Sequence, residues 1–163
     1  MRTLSIVSTL VVVTIFCFGV VVSGAEFPWY LDVPSLVVIL LPAFFLAAAD
    51  HSWQTVGRAF SSAFGRRPRG AADKAAYAAE LLAAKALGRY AWLSALLGTF
   101  IGFVAILASL GQEPSTGILG RNVSVGLLCA FTATCFELIV VSPLKGRLEK
   151  LLLDAEDTQD ASL

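Results

Sequence analysis

The sequence has little charge. Lys, Arg, Asp and Glu together make up 15% of its 163 residues, whereas hydrophobic residues make up 57%. A soluble domain of this length needs more charged side chains than this to cover its surface. The composition therefore excludes an ordinary soluble domain and predicts a membrane protein.

Residues that carry out chemistry are scarce as well. The single histidine, His51, follows Asp50 at a predicted membrane edge, where a solvated interfacial side chain is the simplest interpretation. The chain has no GxSxG sequence, no phosphate-binding loop and no set of three or four metal ligands. Cys17, Cys129 and Cys135 are odd in number and form no CxxC pair, so we expect no disulfide framework. We therefore predict no enzyme, no cofactor, no metal site and no nucleic-acid partner.

Apolar blocks fill much of the chain. About 20 residues of helix, at about 1.5 Å each, cross a hydrocarbon core about 30 Å thick. We expect transmembrane helices over residues 4–23, 33–49, 90–110 and 123–142. The second block is short, but Trp29, Tyr30 and Trp53 flank it and can lie at the two membrane interfaces. The expected fold is all-α: one polytopic membrane domain over residues 1–163, with four transmembrane helices and short cytoplasmic helical extensions.

The first block also resembles a secretory signal peptide. Arg2 supplies a positive start, and Ser23, Gly24 and Ala25 supply small residues for cleavage. The apolar region of a signal peptide usually has about 7–15 residues. This block is longer, which favours a retained helix. Cleavage would leave three spans.

The charges are distributed unevenly between the two sides of the predicted spans. Eleven of the twelve Lys and Arg residues are Arg2, the seven from Arg58 to Arg89, and Lys145, Arg147 and Lys150. Only Arg121 lies in the other set of loops. By the positive-inside rule, both termini, the segment 50–89 and the tail 143–163 are expected in the cytoplasm.

Two cytoplasmic stretches predict further helices. The stretch from residue 71 is rich in strong helix formers. One helical face there carries Tyr77, Leu81, Ala84 and Gly88. We expect this helix to lie against its neighbours or to continue into the third span. The apolar fourth block ends abruptly at Ser142-Pro143, after which we predict a short amphipathic helix and an acidic tail.

Small and hydroxyl-bearing residues mark the third and fourth spans. Gly98 and Gly102 form a GxxxG pattern, which lets two helices approach closely. Thr99, beside them, either bonds back to its own helix or exposes its hydroxyl to a pore. One face of the fourth span carries Gly126, Ala130, Ala133, Thr134 and Glu137. Small residues beside a carboxylate indicate a tightly packed or water-lined seam.

Glu137 interrupts the fourth apolar block, and three interpretations stay open. Intramembrane acids are costly and usually face the interior of a helix bundle, so Glu137 is a candidate for proton exchange with cytoplasmic water. It lies five residues before Ser142, about 8 Å by helical rise, so it can instead reach the interface. It can also form a fixed ion pair with an arginine of the same or a neighbouring chain.

Several stretches together resemble one family. "YLDVPSLVVIL" at 30–40 is similar to the Asp-x-Pro-Ser entry into the second helix of MotA-type stator proteins. "LLGTFIGFVAILASLGQEPS" at 96–115 resembles their third helix, and "ELIVVSPLKGRLEK" at 137–150 resembles the end of their fourth. The chain is therefore identified as a member of the MotA/TolQ/ExbB proton-channel family, nearest the MotA branch.

That resemblance implies a homo-pentamer in the bacterial inner membrane, surrounding a single-span MotB/ExbD/TolR-like partner that carries an intramembrane Asp. Ion flow, of protons or sodium ions, would drive movement of the partner. Thr99 matches the pore threonine of the third helix, Pro114 matches the loop proline, and Pro143 matches the proline at the cytoplasmic exit. Ala130, Thr134 and Glu137 are further candidates for the ion pathway.

The sequence also departs from the family. Only about forty residues separate the second and third spans, where MotA proteins have a large cytoplasmic domain that contacts the flagellar rotor. The pore threonine of the fourth helix falls on Ala130, and Glu137 is not part of the family pattern. A non-conducting four-helix scaffold, whose small-residue seams only assemble a complex, is the alternative function.

Overall fold

The computed structural model describes residues 2–24, 30, 33–65, 74–109 and 116–160. Apart from single turns, these residues are helical, and they contain no strand, which confirms the all-α fold class. The helices are α1 (Arg2–Val22), α2 (Val33–His51), α3 (Trp53–Phe64), α4 (Lys74–Ser109), α5 (Thr116–Phe136), a π-helical segment (Glu137–Val141) and α6 (Ser142–Asp160).

Among the described residues, three helices are long and apolar enough to cross a membrane, which supports a membrane protein. They are Val33–His51, Lys74–Ala108 and the continuous rod Val123–Asp157. In α1, the part whose side chains are described, Leu10–Val22, forms a shorter apolar helix. Three of the four predicted spans therefore have the required length and composition.

A sharp bend separates α2 from α3. Ser52 at the bend has a φ of 68°, and its hydroxyl caps α3 by accepting a hydrogen bond from the Thr55 amide at 3.3 Å. α3 is amphipathic and buries Val56, Ala59 and Ala63. The hydroxyl of Tyr90 in α4 donates to the Asp50 carboxylate, so the end of α2 is also tied to α4.

α4 is one uninterrupted helix of 36 residues, Lys74–Ser109, so of the two alternatives for the helix before the third span, continuation into that span is the one observed. Buried residues on one face alternate four and three positions apart: Tyr77, Leu81, Ala84, Gly88, Ala91, Ala95, Gly98 and Gly102. This heptad spacing keeps one face of a long helix against a packed partner. Because most of these residues are small, α4 and the antiparallel α5–α6 rod lie close together along their length.

Two apolar cores hold the helices. The first lies among α2, α3, α4 and α5 and consists of Ile39, Ala43, Ala47, Val56, Ala83, Leu87, Ala91, Ala95, Cys129 and Ala133. The second joins α3, the first half of α4 and α6 and consists of Ala59, Ala63, Leu81, Ala84, Leu144 and Leu148.

Charged contacts reinforce the second core. The Arg147 guanidinium donates to the Ala63 carbonyl at 2.8 Å. Exposed ion pairs join α4 to α6 at Lys74–Glu156 (2.9 Å) and Lys85–Glu149 (3.6 Å). Exposed pairs contribute little free energy each, so the apolar contacts provide most of the stability here.

The helix continues past Ser142-Pro143, so the predicted fourth span and the predicted helix after Pro143 form one rod. In a continuous α-helix the Pro143 ring would clash with the carbonyl four residues earlier and remove one hydrogen bond. Here the five residues before Ser142 form a π-helical turn, in which the Ser142 amide donates to the Glu137 carbonyl. The turn accommodates one extra residue, so the chain passes the proline without ending the helix.

Candidate functional site

Glu137, the first residue of the π-helical segment, lies in a half-buried pocket between α4 and α6. Its Oε1 atom accepts a hydrogen bond from Lys145 Nζ at 2.6 Å, and the two side chains are 24% and 27% exposed. Its Oε2 atom is fully buried and has no hydrogen-bond partner among the described residues. The ion-pair interpretation of Glu137 therefore has a geometric counterpart, although the partner is a lysine of the same chain and not an arginine.

Gly88 of α4 makes room for this carboxylate. A Cβ atom placed on Gly88 would overlap Glu137 Oε2 and would lie 3.0 Å from Val141 Cγ1. Any larger residue at position 88 would therefore have to displace the carboxylate. The buried oxygen faces α4 of its own chain.

The π-helical turn places Glu137 and Lys145 on the same face. In a regular α-helix, residues eight positions apart differ by about 80° around the axis. Because the turn absorbs one residue, the pair is arranged as if seven positions apart, within about 20° of each other and two turns along the axis. The ion pair therefore depends on the turn that accommodates Pro143.

Thr99 joins α4 to α5. Its hydroxyl group lies 2.9 Å from the Ala95 carbonyl of its own helix and 3.2 Å from the Gly126 carbonyl of α5. Both of the acceptors are backbone oxygens of the same chain, so the proton of the hydroxyl is engaged within the chain. The oxygen keeps lone pairs that can accept another hydrogen bond or bind a cation.

The other predicted pathway residues lie further along α5. The Thr134 hydroxyl donates to the Ala130 carbonyl at 2.8 Å, and both residues are partly buried. Gly126 and Glu137 are eleven residues apart, or about 16 Å by helical rise. The structure brings Thr99 next to Gly126, but it does not gather the pathway residues into one cluster.

Gly98 and Gly126 have different surroundings. A Cβ atom on Gly98 would lie 2.7 Å from Cys129 Sγ and 3.6 Å from Val38 Cγ1, so a glycine is required for this approach. At Gly126 a Cβ atom would lie 3.7 Å or more from Thr99, which is an ordinary contact. Gly102 is buried on the same face of α4. The GxxxG glycine Gly98 therefore packs against helices of its own chain.

The two proline positions have different outcomes. Pro143 is the second residue of α6, directly after the π-helical turn. Pro114 lies outside the described residues.

Lys145 and Gly88 are site residues that the sequence reasoning missed. Helical periodicity puts Gly88 on the packed face of α4, but nothing in the sequence pairs it with Glu137. From the sequence, Lys145 is only one of the basic residues that follow Pro143. An acid in an apolar block, followed by proline and then by lysine, is the signal that could have suggested the pair.

The chain matches no family model and no curated protein. Among the described residues, no group of three or more His, Cys, Asp and Glu side chains lies together to hold a metal ion. What the geometry does offer is a carboxyl group at one end of an apolar helix, with a cationic partner on one oxygen.

Proposed function

We propose that the chain is an ion-conducting subunit of a MotA/TolQ/ExbB-type membrane motor or energiser, carrying protons or sodium ions. Copies of the chain form a homo-pentamer in the bacterial inner membrane, around a single-span partner with an intramembrane Asp. α1 supplies a fourth span, and both termini lie in the cytoplasm. Ion flow through the ring is converted into mechanical work by the partner.

One observation carries the proposal: Glu137 lies within an apolar helix with one carboxylate oxygen buried and without a hydrogen-bond partner among the described residues. Intramembrane acids are costly to keep and usually belong to ion or proton paths. The π-helical turn around Glu137 adds support, because such turns occur frequently at functional sites. Glu137 would exchange ions at the cytoplasmic end of the path.

Hydroxyl groups of α4 and α5 supply the other ion-binding positions of this path. Thr99 and Thr134 both donate their protons to backbone carbonyls, so their remaining lone pairs can bind a cation or accept a hydrogen bond from a water molecule. Ala130 contributes a small side chain that leaves space beside them. The three residues lie along α4 and α5 in the order in which an ion would pass toward Glu137.

The stoichiometry and an acid variant test the proposal together. Native mass spectrometry of the complex extracted from membranes should show a homo-pentamer with its single-span partner. Glu137→Gln preserves the shape of the side chain and removes its charge, so the ring should assemble and lose ion flux. A stable monomer, or a ring that conducts unchanged in this variant, would overturn the proposal.

A non-conducting scaffold is the second candidate, and two contacts favour it. The Thr99 hydroxyl ties α4 to α5, and the Glu137 carboxylate pairs with Lys145 of its own chain. Both interactions can be purely structural. On this account Glu137→Gln weakens the fold or assembly, and neither the parent nor the variant carries an ion current.

A further inference from the structure

We propose that Lys145 controls access to Glu137. Its ammonium group holds the carboxylate in an ion pair and must move away before the acid can exchange an ion, a role that we call a latch. This inference rests on the proposed function for its physiological meaning, but the latch itself is a property of two side chains. Lys145 acts through Glu137 and is a positioning residue.

The geometry assigns each carboxylate oxygen a different environment. Oε2 lies against Gly88 and is buried, so no reagent or ion reaches it without movement of the side chain. Oε1 is bound by Lys145 Nζ at 2.6 Å, a short charge-assisted hydrogen bond. The approach to the acid from the α6 side is therefore occupied by the lysine.

The ammonium group of Lys145 can move away from Glu137 into solvent. Its side chain is 27% exposed, so rotation about its flexible stem brings the ammonium group into solvent without unpacking a core. Its neighbours in sequence along the buried face, Leu144 and Leu148, anchor α6 in the second core. The backbone of α6 can therefore stay in place while the ammonium group leaves.

The π-helical turn places Lys145 and Glu137 on the same face of the helix, which the latch requires. Without the extra residue, Lys145 would lie about 80° around the helix axis from Glu137. Pro143 favours the turn, since its ring does not fit a continuous α-helix. The acid, the proline that favours the turn and the lysine thus lie within nine residues, Glu137 to Lys145, and act together.

Carbodiimide labelling of the purified complex tests the latch directly. A hydrophobic carbodiimide adds to a protonated carboxyl group and marks an acid that is free of a cationic partner. In Lys145→Met, labelling of Glu137 should rise about tenfold, because no ammonium group then occupies Oε1 in a charge-assisted hydrogen bond. Lys145→Arg should label like the parent. Lys150→Met is the matched control, because Lys150 is an exposed cation on the same helix.

The reciprocal measurement covers the case in which Lys145→Met does not fold. Glu137→Gln should raise the reactivity of the Lys145 amine toward an acylating reagent, relative to Lys150 in the same molecule. Unchanged labelling of Glu137 in Lys145→Met, or unchanged reactivity of Lys145 in Glu137→Gln, overturns the latch.

Ion flux separates this inference from the proposed function. If the labelling changes as expected and no preparation conducts ions, the latch stands and the proposed function fails. If the parent conducts and Lys145→Met labels like the parent, the proposed function stands and the latch fails. If both hold, Lys145→Met should also conduct faster than the parent.

Discussion

Gly88 of α4 lies directly against the carboxylate of Glu137, so closely that a Cβ atom at position 88 would occupy the space of Oε2. An acid in an apolar helix is thereby accommodated by the absence of a side chain on the facing helix. The close approach also excludes water from one side of the carboxylate, while Lys145 neutralises the other.

Gly88→Ala should lower the free energy of unfolding when Glu137 is present and raise it when Glu137 is replaced by alanine. In the parent, the added methyl group displaces the carboxylate and weakens the Lys145 pair, for a net loss of about 1 kcal/mol in the free energy of unfolding. In a Glu137→Ala background the overlap with Oε2 is gone, and only the 3.0 Å contact with Val141 Cγ1 remains, which a small shift of that side chain relieves. The higher helix propensity of alanine should then give a gain of up to about 1 kcal/mol. Unfolding titrations in detergent measure both values.

Gly146→Ala is the control for this pair, because a Cβ atom there meets nothing within 4 Å. It should stabilise the chain equally in both backgrounds. If Gly88→Ala has the same effect with and without Glu137, the two residues are not coupled, and the position assigned to the carboxylate is wrong.

Gly98→Ala and Gly126→Ala should differ although both replace a glycine between α4 and α5. The first places a methyl group 2.7 Å from Cys129 Sγ and should lower the free energy of unfolding by about 1–3 kcal/mol. The second meets Thr99 atoms at 3.7 Å or more and should be neutral or slightly stabilising. Thermal unfolding in detergent distinguishes them, and Cys129→Ala should partly rescue the first. Equal effects would show that α4 and α5 do not meet as described.

The helices were largely predictable from the sequence, because apolar blocks of membrane length leave few alternatives. The continuation of α4 through Gly88 followed from its run of helix formers, and the shared face of Tyr77 and Leu81 followed from helical periodicity. The separate helix α3 was not predicted. Its start depends on Ser52 adopting a positive φ, which a serine rarely does and which no local pattern indicates.

The candidate site was predictable only in part. Glu137 is conspicuous in an apolar block, but its partner depends on a π-helical turn that rotates Lys145 onto the same face. A proline in a helical sequence usually predicts an end or a kink, and either would have separated the two residues. The glycines of α4 were recognised as packing residues, whereas which helix each one faces is decided by tertiary packing.

Thr99→Val tests whether the hydroxyl of Thr99 contributes to an ion path as well as to packing. Loss of the bonds to Ala95 and Gly126 should cost about 0.6 kcal/mol, typical of hydrogen bonds between membrane helices. If the oxygen also serves as an ion ligand, flux should fall markedly while the ring stays assembled, and Thr99→Ser should conduct like the parent. A variant that conducts normally would limit Thr99 to a structural role.

Reporter fusions test the expected topology. Eleven of the twelve basic residues lie on one side of the predicted spans, so a reporter fused after Leu163 should be active in the cytoplasm. Activity only in the periplasm would contradict this orientation. Sequencing the amino terminus of the mature protein checks α1, because a chain starting near Ala25 would have three spans.

Proton uptake into liposomes that contain the purified complex tests the role of Glu137 most directly. Glu149→Gln is the matched control, because Glu149 is an exposed carboxylate on α6 that pairs with Lys85. Under an imposed membrane potential, the parent and Glu149→Gln should take up protons at similar rates, and Glu137→Gln should be slower by about 100-fold or more. Equal uptake in Glu137→Gln and the parent, with rings of the same mass, would contradict an ion path through Glu137.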